Sequence, residues 1–288
     1  MSTFARSTPL YVATGRRPSA FELVRDAIRE VVGWRELIRQ LALADMRRAG
    51  AHTIIGNVWW VLDPLLQMPL YVLLVGVVLR AGTPDYPLFL FAAILPWKWF
   101  TGGLTDATVS VASRDQLIKQ VAFPKIILPV AAVVAATPQF FIGLLPLLVT
   151  MVLFYRSHLS FFLLLLPFVA AVQLVFMAGL GVLIAICHAF ARETGRLSGY
   201  LFRAWFFLSP ALYSMDRVEH VIARHPSLHY VYLLNPFTTL FDSYRALIYD
   251  ARFPNPIPLL ILLLASLAFF CLTALVFKWL EPRLAKIL

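Results

Sequence analysis

Charge is what this sequence has least of. Asp, Glu, Lys and Arg together supply 14% of its 288 residues, against about 25% in an ordinary soluble domain. Hydrophobic residues make up 60%, and the mean hydropathy is +0.79. Too little polar surface is left to clothe a water-soluble globule, so a soluble enzyme is excluded. Cysteine is almost absent. Cys187 and Cys271 both lie within apolar runs, so no disulfide framework is implied. No long apolar run precedes Ile54, so the N-terminal stretch shows no signal-peptide core. The chain also lacks a G-x-x-x-x-G-K-[ST] loop, an H-E-x-x-H pair and a C-x-x-C pair, which removes the usual sequence grounds for a nucleotide site or a zinc site. No internal repeat is visible.

What is present is a series of membrane-length segments. A span requires roughly 20 apolar residues, and six fit the pattern: about 57–79, 87–112, 126–154, 160–190, 197–214 and 257–280. The fifth is the shortest and ends at Ser209-Pro210. Between it and the sixth, Tyr230–Leu234 and Phe237–Leu240 are apolar but too short to cross. Such segments dip into the membrane and return, or lie flat on it, wherever protein covers their backbone.

Ahead of the spans, residues 1–20 read as a loose tail and residues 21–56 as an interface region, leaving 57–288 as the transmembrane domain. At 100° per residue, Leu23, Ala27, Val31, Trp34, Leu37, Ile38 and Leu41 share one side of a helix. Arg25, Arg29, Glu36 and Arg39 share the other, with Val32 as the exception and Gly33 as a possible break. An amphipathic helix with a basic face suits a membrane interface; packing on a protein partner is the alternative.

The net charge of +10 is unevenly placed. Eighteen Lys and Arg fall in the N-terminal region and the alternate loops 114–125, 191–203 and 278–288, against six in the intervening loops. Basic residues concentrate on the cytosolic side, which puts both termini there. The same distribution flanks spans rather than forming one groove, so nucleic acid is a poor partner.

Ionisable residues inside spans are functional candidates by default, and there are three: Asp63, Lys98 and Asp106. The simplest role for Asp63 is to cap a break at Asp63-Pro64, and for Lys98 to snorkel beside Pro96 and its tryptophans. His220, His225 and His229 are too loosely spaced to argue a metal site, so none is expected. Gly195 and Gly199 fit G-x-x-x-G and read as ordinary close packing. Aromatic residues are plentiful: Trp59 and Trp60 open span one, Trp97, Trp99 and Phe100 sit mid-span two, and Tyr200, Trp205 and Phe206 lie on span five. Aromatic faces stack on the apolar faces of sugar rings; packing against lipid or other helices is the alternative. On span five, Tyr200 and Trp205 lie ~140° apart, so the three rings there cannot all face one narrow conduit.

Four segments carry a family resemblance: IIGNVWWVLDPLLQMPLY at 54–71, ILPWKWF at 94–100, RDQLIKQVAFPKIILP at 114–129 and LNPFTTLFDSYRALI at 234–248. In order, spacing and sidedness they resemble the polysaccharide-export permeases of type-2 ABC transporters, which serve O-antigen, capsule or teichoic acid. The resemblance covers about residues 35–288. It implies an all-α integral membrane protein of about six transmembrane helices, with an N-terminal interface helix and a re-entrant outer hairpin before the last span. It further implies a homodimer in the bacterial inner membrane, joined by two copies of a separate ATPase that binds ATP and Mg, with no cofactor and no catalytic site in this chain.

Within that resemblance the turn at 114–123 becomes the coupling helix that docks on the ATPase, with Arg114, Leu117, Ile118, Lys119, Val121 and Phe123 as its contacts. Spans one and five partly line a channel for a lipid-linked glycan, making Trp59, Trp60, Tyr200, Trp205 and Phe206 candidate wall residues, with Trp97, Lys98 and Trp99 added from span two. The residues support the coupling role independently. Leu117, Ile118 and Val121 are apolar at helical spacing in a loop that should be wet, and an exposed apolar patch calls for a protein partner. Two other readings are a membrane enzyme acting on polyprenyl-phosphate sugars, which needs clustered carboxylates, and a secondary carrier, which usually shows more intramembrane charge.

Overall fold

A computed structural model describes residues 19–50, 56–71, 73, 84–214, 232 and 234–287. Every regular element among the described residues is a helix. In chain order they are α1 (Ala20–Gly33), α2 (Arg35–Gly50), α3 (Trp59–Tyr71), α4 (Tyr86–Val109), α5 (Asp115–Gln120), α6 (Ile127–Ala135), α7 (Thr137–Phe154), α8 (Leu166–Phe190), α9 (Thr194–Leu208), α10 (Pro236–Ile248) and α11 (Pro256–Ile287). The proposed tail, the rest of span one beyond Leu73, and His220, His225 and His229 lie outside the described residues.

Four of the described helical segments are long and apolar enough to cross a membrane: Tyr86–Val109, Ile127–Phe154, Phe161–Phe190 and Pro256–Leu284. They coincide with expected spans two, three, four and six. Span five does not reach its expected end at residue 214. Helix α9 stops at Leu208, about 22 Å long at 1.5 Å per residue, short of a ~30 Å hydrocarbon core. The cause is local: Ser209 is extended (φ −97°, ψ 150°), as the residue before a proline prefers.

The expected interface helix is two helices. Ser19 and Glu22 form a reciprocal capping box that starts α1, and the chain breaks at Gly33 before α2. The apolar side behaves differently from the membrane-surface expectation. Ala27 and Ile38 are buried, and Val31, Trp34, Leu37 and Leu41 pack beside them, against a cluster built from Ile126–Leu128, Val182, Ile186, Phe277 and Leu284. Their cover is therefore the chain's own spans, while Phe21 and Val32 stay exposed.

The spans come close where residues are small. A Cβ on Gly179 of α8 would lie 3.0 Å from Phe269 Cδ1 and 3.2 Å from the Phe270 backbone of α11. One on Gly181 would meet Val133 and Ala107 at 3.0 and 3.2 Å. Without a hydrophobic drive between helices in lipid, such close approach supplies the packing. Gly195 packs against His188, whereas Gly199 faces open space, so only one of the paired glycines serves close packing.

Helix α10 is thirteen residues long, too short to cross, and is buried along most of its length against α4, α8 and α11. Its start is fixed by Asn235, whose side chain accepts from Phe237 N at 3.0 Å. Its far part is fixed by Arg245. That guanidinium donates to the carbonyls of Pro210 (2.6 Å) and Ala211 (2.7 Å) just beyond α9, and sits 3.6 Å from the Phe89 ring centre on α4. Backbone that would be unsatisfied in lipid is thus paired inside protein.

Candidate functional site

The loop between α4 and α6 is held at both ends. Arg114, at the start of the short helix α5, pairs with Asp45 of α2. At the other end the Lys125 N–H donates to Glu281 of α11 at 3.0 Å. Glu281 shares Lys278 with Glu30 of α1, at 2.9 and 2.5 Å. Burial pushes the Glu30 carboxyl above its usual range, and the Lys278 ammonium opposes that shift. Between these pins Leu117 and Ile118 are half-buried, and Ile118 and Phe123 rest against the cluster under α1 and α2. Val121 is 48% exposed, and Lys119 is also exposed. The six expected coupling residues thus lie together on one braced loop, part of whose apolar surface is open.

The expected conduit residues are divided by burial. Trp97 is packed among Phe100, Phe206, Phe237 and Phe241, with ring centres 4.7–6.4 Å apart. Trp99 stacks on Phe140 at 4.7 Å. Trp97, Trp99 and Phe206 are each buried, facing side chains of their own subunit. Trp205 is half-buried; its Nε1–H donates to Asn235 Oδ1 at 3.0 Å, and Asn235 Nδ2 donates to Ser209 Oγ at 2.9 Å. Tyr200 is open at 66% exposure and Trp59 at 43%; Trp60 is intermediate. Arg203 lies 5.2 Å from the Tyr200 ring centre. Of the expected rings, those open to a ligand are therefore Trp59, Trp60 and Tyr200, with Trp205 only half-buried.

Asp63 and Lys98 differ from expectation. Helix α3 runs through Asp63-Pro64 without a break, and Lys98 pairs with Asp63 across α3 and α4. Proline at position 64 removes the N–H that would satisfy the Trp60 carbonyl, and Gly143 of α7 approaches there: a Cβ on it would lie 3.7 Å from that oxygen. The scarcity of intramembrane charge was itself the available signal for the ion pair, since such charges pair with one another. Nothing in the local sequence flagged Asp45, Glu281 or Arg245.

Comparison with known proteins agrees with this architecture. Residues 36–249 match the family model described as ABC-2 type transporter. The chain is 30% identical over 251 residues to the O-antigen export system permease protein RfbA of Myxococcus xanthus, covering 87% of this chain and 95% of that protein. It is 25% and 24% identical to two Klebsiella pneumoniae proteins of the same description, each time over 74% of this chain and 80% of the relative. A multi-pass helical bundle with no nucleotide loop of its own and a braced loop between two spans fits that family, whose membrane subunits work with an ATPase subunit. The chain belongs to the ABC-2 type transporter membrane family.

Proposed function

We propose that this chain is the permease subunit of an ATP-driven exporter of lipid-linked polysaccharide of the O-antigen kind, acting as a homodimer of six-span subunits in the bacterial inner membrane. The observation that carries this is the near full-length similarity to the Myxococcus O-antigen export permease, 95% of which is covered. The braced loop 114–125 supports the division of labour. Two copies of a separate ATPase supply ATP and Mg chemistry, and this chain receives their motion through Leu117, Ile118 and Val121. The excess of basic residues at the end bearing α1, α2 and this loop supports a cytosolic position for it and for both termini. Segment 215–252 then lies outside, as a re-entrant hairpin before the last span.

Glycan passage would use the open rings on spans one and five, Trp59, Trp60 and Tyr200. A membrane enzyme acting on polyprenyl-phosphate sugars is less well supported, because Asp63 is engaged by Lys98 rather than gathered with Asp106 for a divalent ion. The deciding experiment is twofold: co-purification with the ATPase subunit of such an exporter, and restoration of surface polysaccharide in a host lacking its own permease. A chain that reaches the membrane, binds no ATPase and restores no surface glycan would overturn the proposal.

A further inference from the structure

Helix α4 has an unusual open face. Apart from Pro87, every residue from Tyr86 to Trp97 is buried. In the remaining half the residues left open or half-open are Lys98, Thr101, Gly102, Thr105 and Asp106, ending at Val109. At 100° per residue these fall within one face of the helix. Asp63 of α3 joins them through its pair with Lys98, its own side chain 53% exposed.

Other spans expose the opposite chemistry. The open positions of α7 include Leu145, Val149 and Leu153, and those of α11 include Ile261, Leu264 and Leu267. Those faces match lipid tails. A stripe of two hydroxyls, a carboxylate and an ion pair does not, because exposed polar and charged groups at membrane depth are costly unless water or protein meets them.

The hydrogen bonds within the stripe narrow what meets it. Thr101 Oγ1 donates to the Trp97 carbonyl at 3.1 Å, and Thr105 Oγ1 donates to the Thr101 carbonyl at 2.7 Å. Each hydroxyl proton is committed to the helix, so each oxygen is presented outward as an acceptor. Asp106 is an acceptor as well when ionised. The stripe therefore suits a ligand rich in O–H donors, and because its ammonium, Lys98, is engaged by Asp63, it offers little to a phosphate, which needs donors.

We infer that this stripe is the wall of a hydrated vestibule at the basic end of the molecule, and that it takes the hydroxyl-rich glycan chain rather than the phosphate of its carrier. The inference rests on the permease reading. It adds a polar wall on the second span to the aromatic rings of spans one and five. The stripe covers roughly 12 Å along α4, from Lys98 to Asp106. The buried other half of the helix makes the vestibule open toward the end that carries α1, α2 and the 114–125 loop.

The test uses the full-length chain with its ATPase, in a Cys187→Ser, Cys271→Ser background. Thr101→Cys and Thr105→Cys are exposed in inside-out vesicles to a membrane-impermeant cationic methanethiosulfonate, with Leu145→Cys and Leu264→Cys as lipid-facing references. The stripe positions should react at least about tenfold faster than the references, since only a hydrated thiol ionises and reacts. The double change Thr101→Val, Thr105→Val should lower surface glycan about tenfold at equal membrane level, the factor expected for two lost hydrogen bonds, and Thr101→Ser, Thr105→Ser should restore it. Stripe thiols as unreactive as Leu264→Cys, as coverage by a second copy would produce, would overturn the inference, and so would full export by the valine pair. If the cysteine-free parent neither binds the ATPase nor restores surface glycan, the permease reading itself fails and the vestibule with it.

Discussion

The indole N–H of Trp205 and the side-chain carbonyl of Asn235 are joined at 3.0 Å, tying the end of α9 to the start of α10. The same Asn235 oxygen caps α10 through Phe237 N, while its amide reaches Ser209 Oγ. One side chain thus closes the junction between a shortened span and a buried half-length helix.

Replacing Asn235 with alanine removes a helix cap together with the links to Trp205 and Ser209. A cap alone is worth about 1 kcal/mol, and the orphaned indole brings the loss to ~2–4 kcal/mol; the Ser209 hydroxyl keeps its bond to the Trp205 carbonyl. The expected result is a clearly lower unfolding temperature in detergent, measured by the thermal shift of the purified chain. Trp205→Phe should lose less, about 1 kcal/mol. Equal stability of Asn235→Ala and the parent would show that the junction is held elsewhere.

Aromatic substitutions should sort by burial rather than by residue type. Trp97→Ala and Trp99→Ala each empty a packed site, at ~3–5 kcal/mol, and should lower the amount of folded protein in the membrane. Tyr200→Ala and Trp60→Ala should leave the protein level intact and slow export, with Phe substitutions milder. Surface glycan divided by membrane protein level separates the two classes.

Coupling should fail in two distinguishable ways. Leu117→Asp or Ile118→Asp puts a charge on the contact surface, costing several kcal/mol where it is buried, and should abolish co-purification of the ATPase. Arg114→Ala, which leaves Asp45 without its partner, should keep the ATPase bound but weaken export, because the loop is no longer braced against α2. Normal export by Arg114→Ala would remove the brace from the mechanism.

Gly179→Leu should be disruptive where Gly199→Leu is tolerated by the isolated subunit. The first forces a side chain into the Phe270 backbone, an overpacking cost of ~1–3 kcal/mol or more; the second meets nothing within 4 Å. Yield and monodispersity after extraction report the difference.

Much of the fold was legible because apolar length is a strong signal. Spans two, three, four and six were placed within a few residues of the helices observed. Span five was overextended because apolar Ala211–Leu212 follows Pro210; hydropathy continues where the backbone cannot. The packing of α1 and α2 onto the spans was not legible, since one apolar stripe serves lipid and protein equally well. The Lys98–Asp63 pair was missed for a geometric reason. Depth counted along straight helices places Lys98 about 12 Å beyond Asp63, further than the four-carbon stem of lysine reaches, so the count argued against the pair. Which of the candidate rings lie open was not legible, because the local sequence around Trp97 or Tyr200 does not say what packs against the ring.

The grip of Arg245 on Pro210, Ala211 and Phe89 has a mechanical consequence. The exit of α9, the whole of α10 and the N-terminal half of α4 share a single guanidinium, and none can swing away without stranding a buried charge. That end of the molecule behaves as one rigid plate. Any opening of the bundle at that end therefore lies at the plate's borders with neighbouring helices rather than within it.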